Sequence, residues 1–119
     1  MKKTERLVDS LYELLKEQAE IELQIESLPR GYISVKQISG HTYNYRQWRE
    51  GTKIISEYVP DAYLNSVKRK IATRKEQESL LKAVKKEIKS ITNKVLRAEL
   101  MHEEDIAALK EKAVKEVRQ

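Results

Sequence analysis

Few residues in this chain are placed to make or break bonds. His41 falls in a short polar segment, Ser39-Gly40-His41-Thr42, and His102 stands directly before Glu103, Glu104 and Asp105. A histidine with carboxylates one to three residues away matches neither a paired helical ligand set nor a nucleophile–base pair. His102 is expected to be a solvated helix residue. The chain has no cysteine, which excludes disulfides, thiolate metal sites and a cysteine nucleophile. Phosphate loops and dinucleotide fingerprints do not occur, and Glu50-Gly51-Thr52-Lys53 reads as a hairpin turn. The expectation is a protein that is not an enzyme and that carries no cofactor or metal.

Non-covalent recognition has more to work with. The chain holds six Tyr and one Trp, and five of those seven (Tyr32, Tyr43, Tyr45, Trp48 and Tyr58) lie between residues 30 and 59. Arg30, Lys36, Arg46, Arg49 and Lys53 are interleaved with them, against Glu50 and Glu57. Cations neutralise phosphates while aromatic faces stack on bases, so this mixture suits nucleic acid. A second basic cluster follows closely: Lys68, Arg69, Lys70, Arg74 and Lys75. The candidate phosphate contacts are Lys36, Arg46, Arg49, Lys53, Lys68 and Arg69, with Trp48 or a tyrosine supplying a stacking surface. A small sheet also needs an apolar face against a helix. Most of the tyrosines are expected in that core.

The aromatic segment has the period of a sheet. Tyr32–Ile38 is rich in β-branched residues, 39–42 is a turn, Tyr43–Arg49 alternates, 50–52 is a second turn and Lys53–Val59 a third strand. Residues 30–59 therefore form a three-stranded antiparallel β-meander, an arm. By parity, Tyr43, Tyr45, Gln47 and Arg49 lie on one side of the middle strand, and Asn44, Arg46 and Trp48 on the other.

Helices must carry the arm. Leu7, Leu11, Leu14, Gln18, Ile21, Ile25 and Leu28 alternate steps of four and three, a heptad seam over residues 3–28 that ends before Pro29 and Gly31. Pro60 and Asp61 open a second helix, and no Gly or Pro interrupts residues 61–118. Leu64, Val67, Ile71, Leu81, Val84, Ile88, Ile91 and Val95 form its stripe, broken at Arg74, Gln77 and Glu78. Unbroken, it would run about 87 Å against about 38 Å for the first helix. The excess must fold back or find a partner. Ser90–Asn93 and His102–Asp105 are the expected bends, within residues 90–105. Val95, Leu96, Leu100, Ile106 and Leu109 lack an intrachain partner of matching length, so a homodimer is expected, with a folded-back third helix as the alternative.

The fold expected is mainly α with a small β insertion, one elongated domain over residues 1–119. An antiparallel helical hairpin, 3–28 against 61–90, is joined by the β-meander. The composition agrees: 36% charged, 6% aromatic and no Phe. The net charge of +5 permits acidic partners. Charge is also segregated. Residues 5–28 hold seven acids against Arg6 and Lys16, and residues 60–97 hold eleven bases against four acids. The basic helix is therefore expected to face the acidic one in part. Basic residues at Lys2, Lys3 and Arg6 precede no apolar signal region, and no apolar run approaches the ~18 residues that cross a bilayer. A cytoplasmic protein without membrane contact is expected.

The segment Gly31-Tyr32-Ile33-Ser34-Val35-Lys36, with Ile38, Gly40, Tyr43-Asn44-Tyr45-Arg46-Gln47-Trp48-Arg49-Glu50-Gly51-Thr52-Lys53 and Ser56-Glu57-Tyr58-Val59, resembles a group of small uncharacterised bacterial and phage proteins. These have a Gly-Ser-Ile-rich strand, a Tyr-x-Tyr middle strand and an Arg-Glu-Gly-Gly-Lys turn between coiled-coil helices; here Thr52 replaces the second Gly. The arm is also similar to the three-stranded arm-binding domains of tyrosine recombinases, whose sheet enters DNA, although their catalytic domain is absent. The group has no established activity to carry over; the arm's aromatic and basic residues lead to the expectation of an accessory protein of a phage or mobile element that binds DNA or RNA. The alternative is a protein–protein module that docks on a nucleic-acid-associated protein. An inhibitor of a host defence nuclease, of the anti-CRISPR kind, is one form of it.

Overall fold

A computed structural model describes residues 3–119, with side chains from Arg6 onward. Met1 and Lys2, within the span expected as one domain, lie outside the described residues. The order is α1 (Lys3–Glu26), β1 (Tyr32–Ile38), β2 (His41–Glu50), β3 (Lys53–Val59), α2 (Asp61–Arg97) and α3 (Glu103–Val117). The fold is mainly α, with an antiparallel three-stranded meander between α1 and α2. The chain divides into two compact units. One is α1 as far as Ile25 together with Gln77–Gln119; the other is Glu26–Glu76. Their boundary in α2 coincides with Arg74, Gln77 and Glu78, where the apolar stripe is broken.

The helical unit has one core. Leu11 and Val95 are 0% exposed, and Leu15 and Ala113 join them, bordered by Tyr12, Ile88, Ile91, Leu100, Ile106 and Leu109. α1, the end of α2 and α3 all contribute, so the excess of the second helix folds back. This packing supplies within the chain the partner for Val95, Leu100, Ile106 and Leu109 from whose absence a dimer is inferred. It also moves the centre of the α1 seam. A heptad seam serves one partner helix, whereas α1 here meets two. Leu11, Leu15, Gln18 and Ala19 are buried and Leu14 is only half-buried. Leu64, Val67 and Ile71, expected to face α1, belong to the unit of the sheet, whose inner face needs cover.

The helix ends follow from local chemistry. α1 stops at Glu26, two residues earlier than the seam suggests, because the chain must turn before Pro29. α2 ends at Arg97, and Ser90–Asn93 stays helical. The Leu100 N–H donates to the Val95 carbonyl and the Glu99 N–H to that of Leu96, both at 3.1 Å, with Glu99 at φ +56°. These are the two bonds of a Schellman stop, and its usual apolar contact is supplied by Leu100 and Val95 in the core. Three residues later α3 begins. The Asp105 carboxylate accepts from the His102 backbone N–H at 3.0 Å, and Glu103, Glu104 and Asp105 fill the first turn. The acids beside His102 therefore serve a helix start, where negative charge meets the positive end of the dipole.

In the sheet, the order is β1-β2-β3. Both turns contain two residues, so β2 runs from His41 to Glu50, longer at each end than the alternation suggests. Ser39 (φ 51°) and Gly40 (φ 83°) are both left-handed, the type I′ pattern. At Gly51-Thr52 only Gly51 (φ 60°) is, the type II′ pattern, so a second glycine is not required.

Candidate nucleic-acid interface

The pairing register assigns every arm side chain to a face. Tyr45 lies opposite Ser34 and Tyr58, and Arg46 opposite Ile33 and Glu57. Since directly opposed residues share a face and alternate along each strand, the inner face carries Ile33, Val35, Asn44, Arg46, Trp48, Glu50, Lys53, Ile55, Glu57 and Val59. The outer face carries Tyr32, Lys36, Ile38, His41, Tyr43, Tyr45, Gln47, Arg49, Ile54, Ser56 and Tyr58. Both carboxylates of the sheet thus fall on the inner face, beside Arg46 and Lys53. The outer face has Lys36 and Arg49 and no acid.

The inner face is the packed one. Val59 and Asn44 are buried, and Asn44 Nδ2 makes a long 3.5 Å contact with Asp61 at the start of α2. Arg46 is clamped. Its guanidinium lies 3.8 Å from the Trp48 ring centre, donates to the Arg30 carbonyl at 2.7 Å and stands 3.8 Å from the Glu57 carboxylate. Its side chain is only 15% exposed. Trp48 Nε1 donates to Glu50 Oε1 at 3.0 Å, and the same oxygen meets Arg30 Nη2 at 3.3 Å. The Trp48 hydrogen bond, and then the Arg30 charge, hold the Glu50 carboxyl below the ordinary glutamate value. Arg74 donates to the Leu28 carbonyl at 2.6 Å. Arginines from β2 and α2 thereby satisfy two carbonyls of the α1–β1 link, which has no ladder of its own. Arg30, Arg46, Trp48, Glu50 and Arg74 line an open cavity of about 400 Å³.

The tyrosines do not form the core. They stand on the outer face, where Tyr32 is 52% and Tyr58 51% exposed. Tyr58 meets Tyr43 at 6.3 Å and Tyr45 at 5.8 Å between ring centres, both edge-to-face. His41 extends the row from Tyr43 at 6.5 Å, and Lys36 Nζ sits 4.9 Å over Tyr45. Edge-to-face pairs of this kind contribute roughly 0.5–1.5 kcal/mol each beyond burial. The row holds its own geometry without a covering layer.

The site residues expected from the sequence thus separate. Lys36 and Arg49 are on the outer face with the tyrosine row. Arg46 and Trp48 are on the inner face, engaged with each other. Lys53 is exposed opposite Glu50 at the second turn. On α2, Lys68 borders a cavity of about 240 Å³ together with Tyr32, Ile33, Ile71, Ala72 and Lys75, which brings the basic helix to the edge of the arm. Arg69 is exposed on the same helix, and its carbonyl accepts the Thr73 hydroxyl at 2.9 Å. The tyrosine row was the missed feature, although parity already separated Tyr43 and Tyr45 from Trp48. Arg30 and Arg74, which line the inner cavity, gave no signal beyond their charge. Among the described residues no group of three or more His, Asp or Glu could hold a metal ion, and no helix is long and apolar enough to cross a membrane.

The chain belongs to the family described as a domain of unknown function, DUF6788, whose model matches residues 2–69. The match takes in α1, the whole arm and the start of α2 through Arg69. No curated protein and no solved structure matches the chain.

Proposed function

We propose that this member of the DUF6788 family is a non-enzymatic, cytoplasmic nucleic-acid-binding protein whose contact surface is the outer face of the arm. The supporting observation is charge segregation across the sheet: tyrosines that are exposed at Tyr32 and Tyr58 and half-buried at Tyr43 and Tyr45, flanked by Lys36 and Arg49, with both carboxylates on the opposite face. Phosphates approach the cations without repulsion, and exposed rings offer stacking area. Lys68, at the arm's edge, and Arg69 extend the basic surface. Arg46 and Trp48 act as a brace that holds the arm's strands and the α1–β1 link, not as contacts.

The direct test is binding of labelled DNA and RNA, single- and double-stranded, to the full chain at low salt. Saturable binding at tens of micromolar protein or below is expected. No binding to any of the four ends the proposal.

A second reading draws on the same face. Ile38 and Ile54 are exposed beside the tyrosines, and aromatic and apolar groups together also suit a protein partner. Pull-down from cell extract with and without nuclease separates the two. Nuclease-resistant recovery of one stoichiometric protein favours docking, and nuclease-sensitive recovery favours nucleic acid.

A further inference from the structure

We infer that the outer face takes single-stranded nucleic acid in preference to duplex, stacking bases on Tyr58, Tyr43 and Tyr32; the inference rests on the proposed nucleic-acid function of that face. Ring spacing comes first. The centres along Tyr43, Tyr58 and Tyr45 are 6.3 and 5.8 Å apart and neighbouring rings are tilted by 60° and 66°. Bases in a duplex strand are about 3.4 Å apart and parallel. Rings set nearly twice as far apart and steeply tilted do not match a stacked column. They suit bases that are turned out individually, which only an unpaired strand presents at little cost.

Charge points the same way. A duplex carries one negative charge per ~1.7 Å of axis, and its binders rely on many phosphate contacts. The outer face of the sheet has two cations, Lys36 and Arg49, and with Lys68 and Arg69 on α2 the basic surface holds four, fewer than the roughly 6–10 phosphate contacts of a typical duplex binder. Aromatic stacking must then supply much of the binding, and a paired base has its faces occupied by its neighbours. Lys36 also covers the Tyr45 ring at 4.9 Å. Tyr45 is thereby left to hold the lysine beside the strand while the other rings receive bases. The absence of a carboxylate on this face complements a polyanion.

The chain has one tryptophan, and it lies on the inner face, so its emission reports which side the ligand occupies. The experiment uses the full chain with labelled oligothymidine, an RNA strand of the same length and the matching duplex, followed by anisotropy and Trp48 fluorescence. Expected are binding of the single strands about tenfold tighter than the duplex, steady Trp48 emission, and a loss of about fivefold or more for Tyr58→Ala. Tyr32→Ala, at the other edge of the sheet, serves as the second variant if circular dichroism shows that Tyr58→Ala has disturbed the arm. Duplex binding as tight as single-strand binding overturns the inference and leaves the nucleic-acid proposal standing. Quenching of Trp48 by bound bases, or full affinity in a folded tyrosine variant, also overturns it. Binding of no nucleic acid at all ends both.

Discussion

The Arg46 guanidinium lies 3.8 Å from the centre of the Trp48 ring, two residues along the same strand and on the face of the sheet turned away from the tyrosines. One cation and the one indole of the chain are thus spent on each other. Trp48 in turn holds Glu50, Glu50 meets Arg30, and Arg46 reaches the Arg30 carbonyl. The entrance to β1 is tied to β2 through this circuit of four side chains.

Removing Arg46 should therefore weaken the fold of the arm. A hydrogen bond from a charged donor contributes ~1.5–3 kcal/mol and a partly desolvated cation–π contact ~0.5–2 kcal/mol. These are not additive, and about 2–3 kcal/mol is expected for Arg46→Ala in urea unfolding followed by Trp48 emission. Arg46→Lys should recover little, because an ammonium cannot both lie flat on the ring and reach the Arg30 carbonyl. Full recovery by lysine would show that charge alone matters.

The same circuit has a pH signature. Glu50 has a lowered pKa in the folded chain, from the Trp48 hydrogen bond first and the Arg30 charge after it. Its contribution to stability is complete above the ordinary glutamate pKa and is lost as pH falls through the depressed folded value. The Trp48 indole N–H resonance should shift with a midpoint below that of an ordinary glutamate. Glu50→Gln should abolish the shift, and a midpoint at or above the ordinary value contradicts the hydrogen bond.

Much of this architecture was legible in the residues. The change of period at Tyr32 marked the sheet, and Pro29 and Pro60 marked its limits. The stripe broken at Arg74, Gln77 and Glu78 marked the unit boundary. The residues alone do not say which positions of α1 meet which neighbour. Leu14 and Leu15 are equally apolar, and only the arrival of α3 beside α1 decides which is buried. A small sheet's need for an apolar face predicts the tyrosines in the core. Here Ile33, Ile55 and Val59 supply it, and the aromatic row is left outside. Arg46 and Lys36 look alike in sequence, but parity puts them on opposite faces, where one becomes structural and the other stays exposed.

Glu99 offers a stabilising change. It occupies the left-handed position of the Schellman stop, φ +56°, where a side chain costs roughly 1–2 kcal/mol relative to glycine. Glycine loses more chain entropy on folding, which returns ~0.5–1 kcal/mol of that. Glu99→Gly should raise stability by about 0.5–1 kcal/mol, measured as an upward shift in the denaturation midpoint with an unchanged slope. A lower midpoint would mean that the glutamate side chain makes a compensating contact.

Leu15 and Leu14 distinguish a three-helix core from a two-helix seam. Leu15 is 3% exposed, so Leu15→Ala should cost about 2–5 kcal/mol through lost transfer energy and a residual cavity. Leu14→Ala, at a half-buried position, should cost clearly less. The reverse order would restore the heptad seam as the packing interface.

The salt dependence of binding tests the two faces of the sheet against each other. If Lys36, Arg49 and Lys68 each neutralise one phosphate, log affinity for a single strand should fall with log salt at a slope near −2, about −0.7 per contact. Lys36→Ala and Arg49→Ala should each flatten the slope by about 0.7 and weaken binding at low salt. Arg46→Ala is the control of equal charge change. It removes a cation engaged on the inner face, so its slope should stay within error of the wild type as long as the protein is held below its unfolding transition. The comparison is decided by slopes rather than affinities, because partial unfolding lowers apparent affinity at every salt concentration without changing the number of counterions released. A slope that flattens for Arg46→Ala and not for Lys36→Ala would move the interface to the inner face and its cavity.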